Sequence, residues 1–80
     1  MKLYKISQTL NRGYDTYDSA IVCAKDEEEA RNIHPEDRDW DYPPYSSTWC
    51  NSPDQVTVEL IGTAAPGTRQ GVMLASFNAG

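Results

Sequence analysis

The side chains best equipped for chemistry fall into two polar, aromatic clusters flanking an apolar stretch. The first is Arg12-Gly-Tyr14-Asp15-Thr16-Tyr17-Asp18. Tyr14 and Tyr17 each offer a flat face and a hydroxyl, and an arginine beside them can clamp an anion. The second cluster lies within residues 34–55 and carries Trp40, Tyr42, Tyr45 and Trp49, with His34 and Arg38 nearby. Were the two clusters to meet at one end of a sheet, Tyr14, Tyr17, Trp40, Tyr45 and Trp49 would form an aromatic pocket bordered by Arg12 and Arg38, with His34 as a further candidate. Such a pocket suits a base or other planar group with an arginine at its phosphate. The same aromatics are also the side chains a small domain uses to cover a thin core, so burial competes with binding at every one of these positions.

Catalytic and metal chemistry are poorly represented. His34 could act as a base, but no Gly-x-Ser-x-Gly elbow or other nucleophile motif accompanies it. Its position before Pro35 suits a helix-end residue instead. Asp37-x-Asp39-x-Asp41 has the start of a calcium loop, yet Tyr42 stands where that loop needs glycine and Thr48 where it needs glutamate. One histidine and two distant cysteines lack zinc-ligand spacing. Gly67 and Gly71 precede a strand rather than a helix, which excludes a phosphate-cradling loop. The expectation is therefore no catalytic residues, no metal and no cofactor.

The elements that would position the clusters are legible from periodicity. Residues 2–8 alternate, with Leu3 facing one way, Tyr4 and Ile6 the other, and Lys2 and Lys5 suited to a sheet edge. Thr9 to Asp18 is rich in turn formers and reads as a wide loop between antiparallel strands. Ser19 to Lys25 is apolar on both faces, as a central strand would be: Ala20, Val22 and Ala24 share one face, Ile21 and Cys23 the other. Asp26 and Glu29 form an Asp-x-x-Glu capping box that opens a short helix ending at His34. Ala30 and Ile33 make its apolar stripe, and Arg31 is placed to pair with Glu27 or Glu28. Residues 34–55 have no clear period; their four large aromatics predict an ordered loop packed on the sheet, with a helical turn after Ser52 where Pro53 takes the first position. Gln55 to Thr63 alternates with Val56, Val58 and Leu60 inward. Pro66-Gly67 suits a type II turn, and Val72 to Asn78 is the last strand, with Val72 and Leu74 on one face and Met73, Ala75 and Phe77 on the other. The fold expected is α+β: an antiparallel sheet of about four strands, β-β-α-β-β, with one short helix and a long aromatic loop, in a single domain spanning residues 1–80.

Composition narrows the classes further. A chain of 80 residues buries only about 60% of its unfolded surface. Such a thin core, with a strand apolar on both faces, leaves surface that predicts a homo-oligomer. Net charge is -5, and residues 15–41 hold ten acids against three bases. That balance argues against direct binding to nucleic-acid phosphates and leaves open a basic protein surface. No apolar run approaches the roughly 20 residues of a membrane helix, and MKLYKISQTL lacks the apolar segment of a signal peptide. Cys23 and Cys50 are expected as free thiols in the cytoplasm.

The segments Gly13-Tyr-Asp-Thr-Tyr-Asp-Ser-Ala20, Glu28-Glu-Ala-Arg-Asn-Ile-His-Pro35, Ser47-Ser-Thr-Trp-Cys50 and Leu74-Ala-Ser-Phe-Asn-Ala-Gly80 resemble a group of small, uncharacterised phage and prophage proteins, over nearly the whole chain. The resemblance carries no assigned site. It implies a host-cell setting and a binder or inhibitor, including the kind that blocks host defence. The functional expectation is a non-enzymatic binding protein that either blocks a host protein or sequesters a small nucleotide-like signal. A small hydrolase using His34 and a structural phage component are the alternatives.

Overall fold

The computed structural model describes residues 1–36, 48–50 and 52–78. Four strands, β1 (Lys2–Ser7), β2 (Thr16–Ala24), β3 (Thr57–Thr63) and β4 (Gly71–Asn78), form one antiparallel sheet in the order β3-β1-β2-β4. A single five-residue helix, α1 (Glu27–Arg31), packs on β1, β2 and β3, and a 3-10 turn (Pro53–Gln55) leads into β3. This is the α+β architecture expected from the periodicity. None of the helices among the described residues is long and apolar enough to cross a membrane.

The core forms between α1 and one face of the sheet. Tyr4 and Ile6 from β1, and Ala20, Val22 and Ala24 from β2, are buried there against Ala30, while Ile33 packs beside them. The small alanines let the helix come close. Asp26 caps it as expected, its carboxylate accepting the Glu29 N–H at 2.8 Å. The returning half of the box shifts by one residue: Glu29 accepts from the N–H of Lys25, not of Asp26. The helix also stops earlier than Pro35 requires, at Asn32, whose N–H bonds the Glu29 carbonyl while the Ile33 N–H bonds that of Ala30. Arg31 does not pair with Glu27 or Glu28. Its Nη1 donates to the carbonyl of Val56 at 2.7 Å and, at 3.4 Å, to that of Pro53. A helix too short to hold itself is thus tied to the start of β3.

Three placements differ from the alternation read in the sequence. β1 is an inner strand with β3 and β2 on its two sides, so Lys2 and Lys5 do not guard an edge; Lys5 stands on the second face, opposite Ile21 and Glu59. In β3 the register shifts between Leu3 and Tyr4 of its partner, leaving Ile61 as an extra residue; Leu60, opposite Tyr4 and in phase with Val58 as the alternation has it, is nonetheless exposed on this outer strand. In β4 a shift leaves Met73 extra, which brings Val72 opposite Val22 and Ala75 opposite Ala20, both against the core, while Leu74 stands opposite Ile21. A bulge of this kind inserts one residue and inverts the phase of alternation, which periodicity alone does not reveal.

The hairpin between β3 and β4 turns at Ala65–Thr68, where the Thr68 N–H bonds the Ala65 carbonyl at 3.1 Å and Gly67 has φ 84°. That angle is the second central position of a type II turn. Nothing lies within 4 Å of a Cβ built at Gly67 or at Gly62. Gly67→Ala is therefore expected to lower unfolding free energy by about 1 kcal/mol through backbone strain alone, while Gly62→Ala in extended strand leaves it unchanged or raises it. Denaturant titration of both variants checks the pair.

Candidate functional site

The loop of residues 8–16 is held by one side chain. Gln8, buried at the end of β1, has a carboxamide with two donor and two acceptor positions, and the loop uses all four. Oε1 accepts from the N–H groups of Leu10 at 2.9 Å and Asn11 at 2.8 Å. Nε2 donates to the carbonyls of Asn11 at 2.6 Å and Tyr17 at 2.9 Å. These partners also fix which end of the amide is oxygen. Further on, the Thr16 hydroxyl donates to the Gly13 carbonyl at 2.6 Å, and Asp15 adopts φ 61°, a left-handed conformation that aspartate tolerates better than most residues.

Among the described residues, the first cluster meets the second at Thr48 and Trp49. Asn11 Nδ2 donates to the Trp49 carbonyl at 3.0 Å, and the Tyr17 N–H donates to the Thr48 carbonyl at 2.8 Å. The described aromatics take separate positions. Trp49 is fully buried in the core, so its ring has no face to offer a ligand. Tyr17 is half-buried, its ring 4.8 Å from that of Phe77 at a 58° tilt. Tyr14 is 78% exposed. Arg38, Trp40 and Tyr45, with the Asp37-x-Asp39-x-Asp41 run, lie outside the described residues.

Arg12 lines a different feature. At the loop end of β1 and β2, on the face away from the helix, a shallow recess of about 320 Å³ is bounded by Lys5, Ser7, Gln8, Thr9, Arg12, Asp18 and Ser19. Strand register explains the convergence: Lys5 stands opposite Ile21 and Ser7 opposite Ser19, which sets Lys5, Ser7 and Ser19 on one face. Two cations and three hydroxyls suit an anionic group, with Asp18 at the rim limiting its charge. Of these residues only Arg12 was legible as a candidate. Lys5 and Ser7 carry a signal in their equal parity, but lysines in β1 read as edge residues rather than as part of a site.

The histidine and the thiols are withdrawn from solvent. His34 is 1% exposed, and its Nδ1 accepts the Glu36 N–H at 3.1 Å, which requires that nitrogen to be unprotonated. The arrangement does not suit a charged helix-end histidine, and burial counts against a base that meets substrate. Cys23 and Cys50 are both free and buried. Cys23 sits on the second face against Met1, with the sulfurs 3.9 Å apart, and Cys50 belongs to the core beneath the helix. Burial pushes the Cys50 thiol up from its ordinary 9.0, against the smaller opposing effect of hydrogen bonds with its own and the Ser52 backbone. Among the described residues no group of three or more His, Cys, Asp or Glu side chains could hold a metal ion.

Comparisons with protein-family models, with curated proteins and with solved structures found no match to this chain.

Two outcomes follow from this geometry. Gln8→Ala should cost about 1–3 kcal/mol and speed amide exchange at Leu10 and Asn11, since it removes four part-buried hydrogen bonds to the backbone. The nearly isosteric Gln8→Glu should cost at least as much, because a carboxylate would face the carbonyls of Asn11 and Tyr17. For Cys50, a raised folded-state pKa means that the folded protein holds its proton longer than the unfolded chain. Stability is unaffected below the ordinary value of 9.0 and is lost as pH rises past it toward the folded value. Denaturation series above neutral pH should show a shallower alkaline decline for Cys50→Ala, and a thiol-specific chromogenic reagent should label neither cysteine at pH 7 until the protein is unfolded.

Proposed function

We propose that the chain is a non-enzymatic binding protein that occupies a host protein through the loop at residues 9–15. One observation carries this reading. The loop directs its backbone and amide groups inward, onto Gln8, Gly13 and Trp49, while leaving Leu10 67% and Tyr14 78% exposed with Arg12 between them. A loop ordered in advance loses little entropy on binding, and an exposed Leu-Arg-Tyr set is the composition of a contact patch. The resemblance to phage-type proteins supplies the setting: a host-cell cytoplasm and a target in host defence. Two free thiols fit a reducing compartment.

Retention of a host protein by the wild-type chain, and its loss with the Leu10→Ser/Tyr14→Ala double variant, is the expected result of affinity capture followed by a binding titration. The double variant should weaken binding by about thirtyfold or more, as expected for hot-spot truncation. Gln8→Ala should weaken it as well by loosening the loop. A partner held equally well by all three proteins, or no partner at all, defeats the reading.

A second reading keeps the small anionic ligand but moves it from the aromatics to the Lys5–Arg12 recess, whose cations and hydroxyls favour a phosphate-bearing group. Calorimetry with cyclic and linear nucleotides tests it. Binding lost in Lys5→Ala and Arg12→Ala supports capture, and silence across the panel removes it.

A further inference from the structure

We propose that two copies of the chain pair through β4, edge to edge and antiparallel about a two-fold axis, to make one continuous eight-stranded sheet. β3 and β4 are the two outer strands, and they differ. β3 carries Glu59 beside its central residue and has α1 packed on it. β4, Gly71-Val-Met-Leu-Ala-Ser-Phe-Asn78, has no ionisable residue and no proline over eight positions. Its outer row of N–H and C=O groups meets no strand among the described residues. Soluble proteins guard such edges with lysine, proline or inward charge, because an unguarded edge is a template for another strand. Beyond the single extra residue Met73, β4 uses no such device, and it exposes Met73 at 52%, Leu74 at 70% and Phe77 at 45%.

Charge selects a second copy as the occupant. The chain carries -5, so two copies repel unless they meet where neither bears charge. β4 is such a place. The exposed acids Asp26, Glu27 and Glu28 sit at the start of α1, over β1, β2 and β3. In the order β3-β1-β2-β4-β4-β2-β1-β3, the two β1 strands stand about 24 Å apart at the usual strand spacing. That is roughly three Debye lengths at physiological salt, so repulsion between the helices is screened. With the axis near Leu74 and Ala75, the exposed apolar side chains of each copy cover those of the other, and the outer backbone groups of β4 find partners. A two-fold pairing also closes on itself, whereas β3 against β4 would propagate into a filament.

Analytical ultracentrifugation of the whole chain tests this. The expected mass is twice the 9.0 kDa of one chain. Leu74→Lys and, separately, Ser76→Lys, both at exposed positions, should each raise the dimer dissociation constant by about tenfold or more, since pairing brings like charges across the seam. Circular dichroism should show both variants folded, and Leu60→Lys on β3 should leave the dimer intact. A wild-type monomer at every concentration overturns the proposal. So does a dimer that survives both β4 lysines, one broken by Leu60→Lys, or an open polymer.

Discussion

A five-residue helix can cover only part of one face of a four-stranded sheet, and most of this structure follows from that shortage. The residues that complete the core come from the segment that returns after the helix: Trp49, Cys50 and Val56 are all buried against the strands. This is why Trp49 is unavailable to a ligand. A large indole is worth more as core than as contact when the core is this thin. Arg31 meets the same shortage differently, spending its guanidinium on the carbonyl of Val56 and so coupling the helix to β3 where the apolar stripe is too narrow to do so alone.

The second face shows what remains where no described element covers it comparably. Cys23 is sealed there by its strand neighbours and Met1, yet Ile21 is only half-buried and Leu74 stands largely in solvent. The register shifts contribute. By inverting the alternation within β4, the extra Met73 turns Ala75 to the core and leaves Leu74 on the outer face, so one strand both finishes the core and carries apolar surface. An edge-paired dimer would cover part of that surface and would set the two loops at opposite ends of the joined sheet, because the loop precedes Thr16 and Thr16 pairs with the far end of β4.

Local chemistry made part of this readable from residues alone. The cap at Asp26, the turn at Pro66-Gly67, the 3-10 turn at Pro53 and the two-faced character of β2 each rest on a few neighbouring residues whose preferences agree. What was not readable depends on partners distant in the chain. Whether β1 is an inner strand is decided by where β3 returns. How far Leu60 is covered is decided by β3 being an outer strand. The burial of Trp49 is decided by a segment without periodicity. Gln8 is the sharpest case: one polar residue at a strand end has no pattern to announce it, although it organises the loop that the tyrosines only decorate.

The Gln8 anchor has a consequence for how binding would respond to its surroundings. Every group it joins is an amide or a peptide carbonyl, and the Thr16–Gly13 and Asn11–Trp49 bonds are likewise between uncharged partners. No proton leaves or arrives at these groups across the physiological range, and no counterion competes for them. The shape of the loop is therefore buffered against acidity and ionic strength. Any dependence of recognition on salt would belong to Arg12 and to the surface it meets, and would report directly on the charge of the target.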